Sequence, residues 1–366
     1  MTDYDVIVVG GGMIGAAIGY GLTRLGQKAA LLDEGDVAFR AARGNFGLIW
    51  VQGKGAECPQ YARWTQRSAD IWAGFNHELE EITNIDTAYS RPGGIHFCLD
   101  EEELAQRRTL MADMVADSKG DFQCEGLDHK ALAELMPGIG PTVTGGSYSP
   151  QDGHVNPLYL LRALHAAFKA KGGHTHHEPV IDLAWKDGAF KLTTAKKTYT
   201  AAKIVLAAGL SNRQLAPKVG LNVPVSPQRG QILVTEKLQP FMDYPTIYTR
   251  QTQEGSIQLG DSHEDVGLDE GTSVNVMHAI ASRAIRLFPC LKRARIVRSW
   301  GALRILTPDA LPVYDQSQSC PGAFSASAHS GVTLAGAHAL DFARYVVEGK
   351  LPASLDALSE RRFHVH

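Results

Sequence analysis

Residues 6–15 read Val-Ile-Val-Val-Gly-Gly-Gly-Met-Ile-Gly. Four β-prone apolar residues run straight into Gly10-x-Gly12-x-x-Gly15. The next stretch has Ile14, Ala17, Ile18, Leu22 and Leu25 at helical spacing and Gly26 as a stop. A second apolar run, Ala29 to Leu32, ends in Asp33. Strand, glycines, helix, strand and terminal acid, in that order, predict a dinucleotide fold. Gly10 permits the tight turn, Gly12 lets a pyrophosphate approach the backbone, and Gly15 lets the helix lie close on the strand. The helix N-terminus, opening at Met13 and Ile14, offers unpaired N–H groups and partial positive charge to the phosphates. Asp33 suits a ribose diol and repels the extra 2′-phosphate of NADP, so the adenosine half of FAD or NAD is expected.

Working outward, 366 residues allow about two domains. Hydrophobic content of 44%, charged content of 20% and a net charge of −3 describe a globular chain with no basic tract for nucleic acid. The N-terminus lacks a basic, cleavable leader pattern, and no apolar stretch reaches a membrane span, so a cytoplasmic protein is expected. Five cysteines, Cys58, Cys98, Cys124, Cys290 and Cys320, are widely spaced without a CxxC. They predict free thiols, with no disulfide framework, zinc site or iron–sulfur cluster held by this chain alone. His176-His177 and His364-x-His366 lack a third ligand at metal spacing and read as loop residues.

Helices are predicted over 60–83, 101–117 and 274–288, with another opened by the Asn156-Pro157 cap. The latter carries Leu158, Leu161, Leu164 and Phe168 on its apolar face and closes at Gly172-Gly173. A strand is expected at Gly94–Leu99. A hairpin is expected from Val180 to Thr194 around Asp187-Gly188. Lys203 to Ala208 reads as a buried strand ending at Gly209, and residues 230–261 as a β-meander containing Thr246–Arg250. Gly331 to Leu334 leads into a last helix through Val347, stopped at Gly349. Nucleotide-type elements thus occur at the beginning, middle and end. The fold class expected is α/β, a discontinuous Rossmann-like domain of the glutathione-reductase type with a β-rich α+β substrate domain threaded through it. The division is 1–90, 150–215 and 299–366 for the cofactor domain, and 91–149 and 216–298 for the substrate domain.

Further motifs follow in order: Arg43-Gly44-Asn45-Phe46-Gly47, Asp152 to Pro157, Ile204 to Gly209, Pro227-Gln228-Arg229-Gly230-Gln231, Trp300 to Arg304, Thr307-Pro308-Asp309 and His329-Ser330-Gly331-Val332-Thr333. With the fingerprint, they make the chain resemble the FAD-dependent D-amino-acid oxidase family, which includes glycine oxidase and sarcosine oxidase, along essentially its whole length. The stretch Gly44 to Gly55 is most similar to the FAD-carrying β subunits of bacterial opine oxidases, relatives of heteromeric D-hydroxyproline and proline dehydrogenases.

The resemblance implies FAD contacts from Gly10, Gly12, Met13, Ile14, Gly15, Asp33, Glu34, Arg43, Gly44, Asn45, Gly47, Leu48, Val180, Ala208, Gly209 and the run His329, Ser330, Gly331, Val332 and Thr333. That run is expected over the pyrimidine end of the flavin, where backbone N–H groups favour the anionic reduced ring. Ala328 stands where the family more often has glycine. Arg304 is expected to hold a substrate carboxylate with its planar fork, against the alternative of a structural ion pair. Tyr248, seven residues before Gly255 on a predicted strand, matches an active-site tyrosine of glycine oxidase. Sarcosine oxidase tethers its flavin through a cysteine near the position of Ala302, and residues 291–319 contain none, so the FAD is expected to be non-covalent.

The activity implied is oxidation of the secondary amine of an N-(carboxyalkyl) amino acid such as octopine or nopaline, within a hetero-oligomer with an α subunit and a small iron–sulfur subunit. Three alternatives remain open: a stand-alone D-hydroxyproline, glycine or other amino-acid oxidase, an NAD-dependent dehydrogenase, and a non-enzymatic flavin scaffold. A flavin absorbance band excludes the NAD enzyme, and bleaching by substrate excludes the scaffold.

Overall fold

The computed structural model describes residues 2–35, 41–118 and 120–363. In chain order the elements open with β1 (Tyr4–Val9), α1 (Met13–Arg24), β2 (Ala29–Asp33), β3 (Leu48–Ile49) and α2 (Pro59–Thr83). They continue through β4 (Gly94–Cys98), α3 (Glu101–Ser118), β5 (Glu125–Asp128), α4 (His129–Leu135), β6 (Gly145–Ser149) and β7 (Gly153–His154). Next are α5 (Pro157–Ala170), β8 (His174–His177), β9 (Asp182–Lys186), β10 (Ala189–Thr193), β11 (Thr198–Leu206) and α6 (Asn212–Leu215). The second half holds β12 (Ser226–Lys237), β13 (Thr249–Gln251), β14 (Ser256–Leu259), α7 (Val274–Leu287) and β15 (Ile296–Leu306). It closes with β16 (Val313–Gln316), β17 (Ala323–Ser327), α8 (Ala335–Ala337), a π turn at His338–Phe342 and α9 (Ala343–Glu348).

The first sheet runs β16-β17-β11-β1-β2-β8, with the β9–β10 hairpin added on β11. Strand β1 is parallel to both neighbours, pairing Val6 with Lys203 and Val9 with Leu206 on one side, and Val6 with Ala29 on the other. Both of its faces are covered, which is why it reads as an unbroken apolar run. Val6 and Val8 enter the core beneath α1, α2 and α5, while Ile7 and Val9 enter the core on the opposite face. Strands β1, β2, β11 and β17 all run parallel, so their carboxyl ends come together at Gly10, Asp33, Ala207 and Ala328. In open α/β sheets ligands bind at that edge.

A second, antiparallel sheet has the order β13-β14-β12-β15, and a third the order β4-β6-β5. They share a core of Ile95, Phe97, Leu233, Ile257 and Leu259 with α7 residues Ile280 and Leu287. The segment 230–261 is therefore no meander, because β12 lies between β14 and β15. Residues 299–306, grouped by sequence with the cofactor domain, pair along β12 with Gln228 opposite Arg304.

Tyr248 lies in the bend before β13 rather than on the strand. Leu158 is exposed. The buried stripe of α5 is Pro157, Leu160, Ala163, Leu164, Ala167 and Phe168, because Pro157 packs against the Gly47 turn and turns the helix with it. The last helix is broken by its π turn where α1 comes closest: a Cβ on Gly21 would lie 1.9 Å from the Ala339 carbonyl oxygen. No helix among the described residues is long and apolar enough to cross a membrane, and none of their His, Cys, Asp and Glu side chains form a metal-binding group. His364 and His366 lie outside the described residues.

Candidate active site

The turn after β1 is built by backbone proximity. Gly10 has φ +102°, and a Cβ there would lie 2.4 Å from the Ala207 carbonyl oxygen. A Cβ on Gly15 would stand 1.9 Å from the Gly10 oxygen, so α1 crosses β1 at a distance only glycine allows. Gly12 differs. Among the described residues its Cβ would meet only the Ala42 methyl, at 3.8 Å, which leaves the space above it open. Gly12 is also the N-cap of α1, with no side-chain cap and no acid in the first turn, so the free N–H groups face that space.

Asp33 accepts from the Gly11 amide at 2.6 Å and the Gly35 amide at 2.9 Å, which fixes its carboxylate at the end of β2. His165 Nε2 meets the Gly11 carbonyl at 2.8 Å and steadies the same turn. An open glycine, an uncapped helix start and an oriented acid fit the pyrophosphate and ribose of a dinucleotide.

The loop 329–333 is brought to this cradle from the far end of the sequence. A Cβ on Gly331 would touch both Met13 and Ile14 at 3.4 Å. Thr333 Oγ1 accepts from the Trp50 amide at 3.1 Å and donates to the Leu48 carbonyl at 3.3 Å. The Thr333 carbonyl accepts from Ser68 Oγ at 2.7 Å and Trp72 Nε1 at 3.0 Å, and Tyr61 donates to Ser330 Oγ at 3.2 Å. Met13, Ile14, Leu48, Ser330, Gly331 and Thr333 are thus brought together, with Val332 buried beneath them.

Gly44 sits so close to β15 that a Cβ would lie 2.2 Å from the Ala302 methyl. Asn45 accepts from the Gly47 amide at 2.7 Å, closing the turn, and Arg43 lies near enough to His165 for its charge to act there. Ala208 is tied through its amide to Asn212 Oδ1 at 2.9 Å, and Gly209 has φ +59° beside Ile305. Val180 and Ala208 both pack on the second core. Glu34 is exposed beyond Asp33.

On the β12–β15 side, Arg304 is largely buried over Gly230, where any Cβ would strike its guanidinium at 2.5 Å. Its Nη2 pairs with Asp261 at 2.8 Å, and its Nη1 donates to the carbonyls of Ser262 at 2.5 Å and Arg229 at 3.3 Å. Arg304 is therefore engaged in an ion pair, and Asp261 is a neighbour that the sequence did not reveal. His263 also reaches Asp261, at 3.3 Å. Burial, with the charges of Lys54, Arg304 and His263, holds His329 well below the usual histidine range, so its ring is neutral.

Tyr248 lies under the Arg283 guanidinium, 4.1 Å from its ring centre, and edge-on to His96 at 5.6 Å. Arg283 is itself clamped by both Glu103 oxygens at 2.9 Å. Burial raises the Tyr248 phenol above its ordinary range. The loop joining β3 to α2 is braced from below. Asp152 accepts from the Val51 amide and Gln52 Nε2, both at 2.5 Å, while Gln52 Oε1 accepts from Arg107 at 2.7 Å and Ser147 at 2.6 Å. Lys54, at the tip of that loop, is a second site residue that sequence reasoning missed. The available signal was its placement between two glycines, Gly53 and Gly55, which the structure holds at positive φ.

Comparison with known proteins agrees with this geometry. A family profile described as FAD dependent oxidoreductase (DAO) matches residues 5–345. The opine oxidase B polypeptide of Agrobacterium tumefaciens (strain Ach5) is 42% identical over 366 residues, covering 100% of this chain and 99% of the relative. The protein of that name from Rhizobium meliloti is 40% identical over 365 residues, covering 99% and 98%. Among solved structures, glycine oxidase from Geobacillus kaustophilus superposes with a TM-score of 0.88 at 25% identity, covering 98% of each chain. Profile, relatives and fold converge on one conclusion: the chain belongs to the DAO family and is an FAD-dependent oxidoreductase.

Proposed function

We propose that this chain oxidises the secondary amine of an N-(carboxyalkyl) amino acid, an opine such as octopine or nopaline, to an imine that water hydrolyses to an amino acid and a 2-oxo acid. The observation that carries this reading is the end-to-end similarity to two opine oxidase B polypeptides at 40–42% identity. FAD, when bound, supplies the acceptor for the hydride equivalent leaving the carbon next to nitrogen. Gly10, Gly12 and Gly15 with the start of α1 hold its pyrophosphate, Asp33 its ribose, and residues 44–48 and 329–333 its ring. Arg304 orients a substrate carboxylate so that the reacting C–H faces the ring, exchanging part of its bonding to Asp261 for the substrate. Tyr248 lines the same space from the bend before β13. The cofactor domain comprises 1–90, 150–215 and 307–366, and the substrate domain 91–149 and 216–306, since β15 stays paired with β12 as far as Leu306. The chain works in the cytoplasm as the catalytic β subunit, together with an α subunit and a small iron–sulfur subunit.

The test is anaerobic mixing of the purified protein with octopine, nopaline, D-hydroxyproline and glycine while flavin absorbance is followed. Bleaching by an opine well ahead of the simple amino acids supports the reading. Equal or faster bleaching by glycine overturns it. The glycine oxidase likeness favours a second reading, a self-contained oxidase. Rapid peroxide production by the chain expressed alone selects that one.

A further inference from the structure

Arg304 is not the only cation that faces the site. Arg304 and Asp261 neutralise each other at 2.8 Å, and His329 is uncharged. Lys54 stands apart. Its backbone amide is held by the Val51 carbonyl at 3.0 Å, and the glycines on both sides have φ of +82° and +72°. The tip is seated closely on the start of α2, where a Cβ at Gly55 would lie 2.3 Å from the Ala62 nitrogen, and Gln52 is held by Asp152, Arg107 and Ser147. Yet among the described residues no carboxylate or carbonyl comes within hydrogen-bonding or ion-pair reach of its ammonium. The charges that act on Lys54 are those of Arg304 and Asp261, and His329 in turn feels Lys54. A rigid, braced loop thus holds a partly buried, unpartnered cation toward the site of the reaction, at a cost in desolvation that an incoming anion relieves.

We propose that Lys54 is the anchor for a second substrate carboxylate, so that Arg304 and Lys54 together select substrates with a carboxylate on each side of the secondary amine. This rests on the opine reading above, and deepens it by assigning the second acid to a residue. Mono-acids such as N-methylglycine engage Arg304 alone. Lys54 carries its own control, since burial and the nearby Arg304 charge lower its ammonium to about 8. The facing groups are Arg304 from β15, Asp261 and His263 from the segment after β14, and His329 from the loop after β17. Of these, Asp261 is held below its ordinary range and His329 well below its own, so neither changes charge near pH 8.

The experiment titrates flavin-loaded protein with 2,2′-oxydiacetate and with methoxyacetate, following the flavin difference spectrum. These probes have an ether in place of the amine, cannot be oxidised, and differ by one carboxylate. Wild type is expected to bind oxydiacetate the more tightly. Lys54→Met is expected to lose about 10- to 100-fold of that affinity while its methoxyacetate affinity holds, and Lys54→Arg to recover most of it. In wild type, oxydiacetate affinity falls as pH rises through about 8, and the fall is absent in Lys54→Met. Equal weakening of both probes, no weakening of either, or a wild type that prefers methoxyacetate overturns the proposal. If opines fail to bleach the flavin while oxydiacetate binding still depends on Lys54, the substrate assignment fails and the subsite stands.

Discussion

Two glycines of one motif should fail in opposite ways when replaced. In Gly15→Ala the new methyl lies 1.9 Å from the Gly10 oxygen and 3.3 Å from the Ala207 methyl. Helix α1 must retreat by about 1.5 Å to reach ordinary contact, and overpacking of this kind costs about 1–3 kcal/mol or more. The apoprotein should therefore melt a few degrees lower, with FAD binding weakened as the helix start moves away. In Gly12→Val the side chain enters open space, with the Ala42 methyl 3.8 Å from Cβ. Backbone φ there is −69°, which valine adopts freely, so apoprotein stability should stay within about 1 kcal/mol of wild type. The branched side chain occupies the pyrophosphate's place, and FAD binding should be lost. The assay is thermal melting of apoprotein with and without FAD, beside the flavin-to-chain ratio from absorbance at about 450 nm. Wild type in FAD at 100 times its Kd gains about 2.7 kcal/mol, and Gly12→Val should gain none. A Gly12→Val protein that melts as low as Gly15→Ala, or that carries stoichiometric flavin, refutes the assignment of these two roles.

Denaturing the holoenzyme should leave FAD in the supernatant, since no cysteine occurs among residues 291–319; flavin in the precipitate contradicts this. Arg304→Lys should lower kcat/KM by about ten- to a hundredfold, the loss of one charge-assisted hydrogen bond worth about 1.5–3 kcal/mol, with flavin content unchanged. Unaltered reduction by substrate would place the carboxylate elsewhere. Asp152→Asn should destabilise the fold by about 1–3 kcal/mol, because its amide would oppose a donor from Val51 or Gln52, and Gln52 cannot turn without losing Arg107 and Ser147. Burial raises the Asp152 carboxyl to about 7 in the folded protein, above its unfolded value. Its contribution to stability is thus full below about pH 4 and declines as pH rises toward 7, and the decline should vanish in the Asn variant.

What the sequence disclosed follows the range of each interaction. The cofactor cradle is local: Gly10, Gly12, Gly15 and Asp33 lie within one β-α-β unit, and their spacing carries the geometry directly. The loop 329–333 and the turn at Gly44 could be named through family resemblance, but their meeting at Met13, Leu48 and Ala302 depends on sheet order. Arg304 was legible as a cation in a motif, while its partner Asp261 was not, because β12 intervenes between β14 and β15 and no periodicity announces that crossing. Tyr248 was misplaced for a local reason, as Thr246 turns the chain by bonding back to Thr249 before β13 begins. Spacing alone put Leu158 on the buried face of α5. Tertiary packing at Pro157 decided otherwise.

The order of the large sheet also governs when the enzyme can come into being. Strand β1 needs β11 beside it, and β11 needs β17, so a sheet begun at Tyr4 is not closed until Ser327 has been made. The loop that reaches back to Met13 and Leu48 is made later still. An emerging chain can form α2 or the β9–β10 hairpin early, but its flavin cradle has no floor until these distant strands meet. Long-range pairing of this kind folds slowly. Loading of the cofactor is thus a late event in the life of the polypeptide, and free FAD supplied during refolding should speed the final step rather than the first.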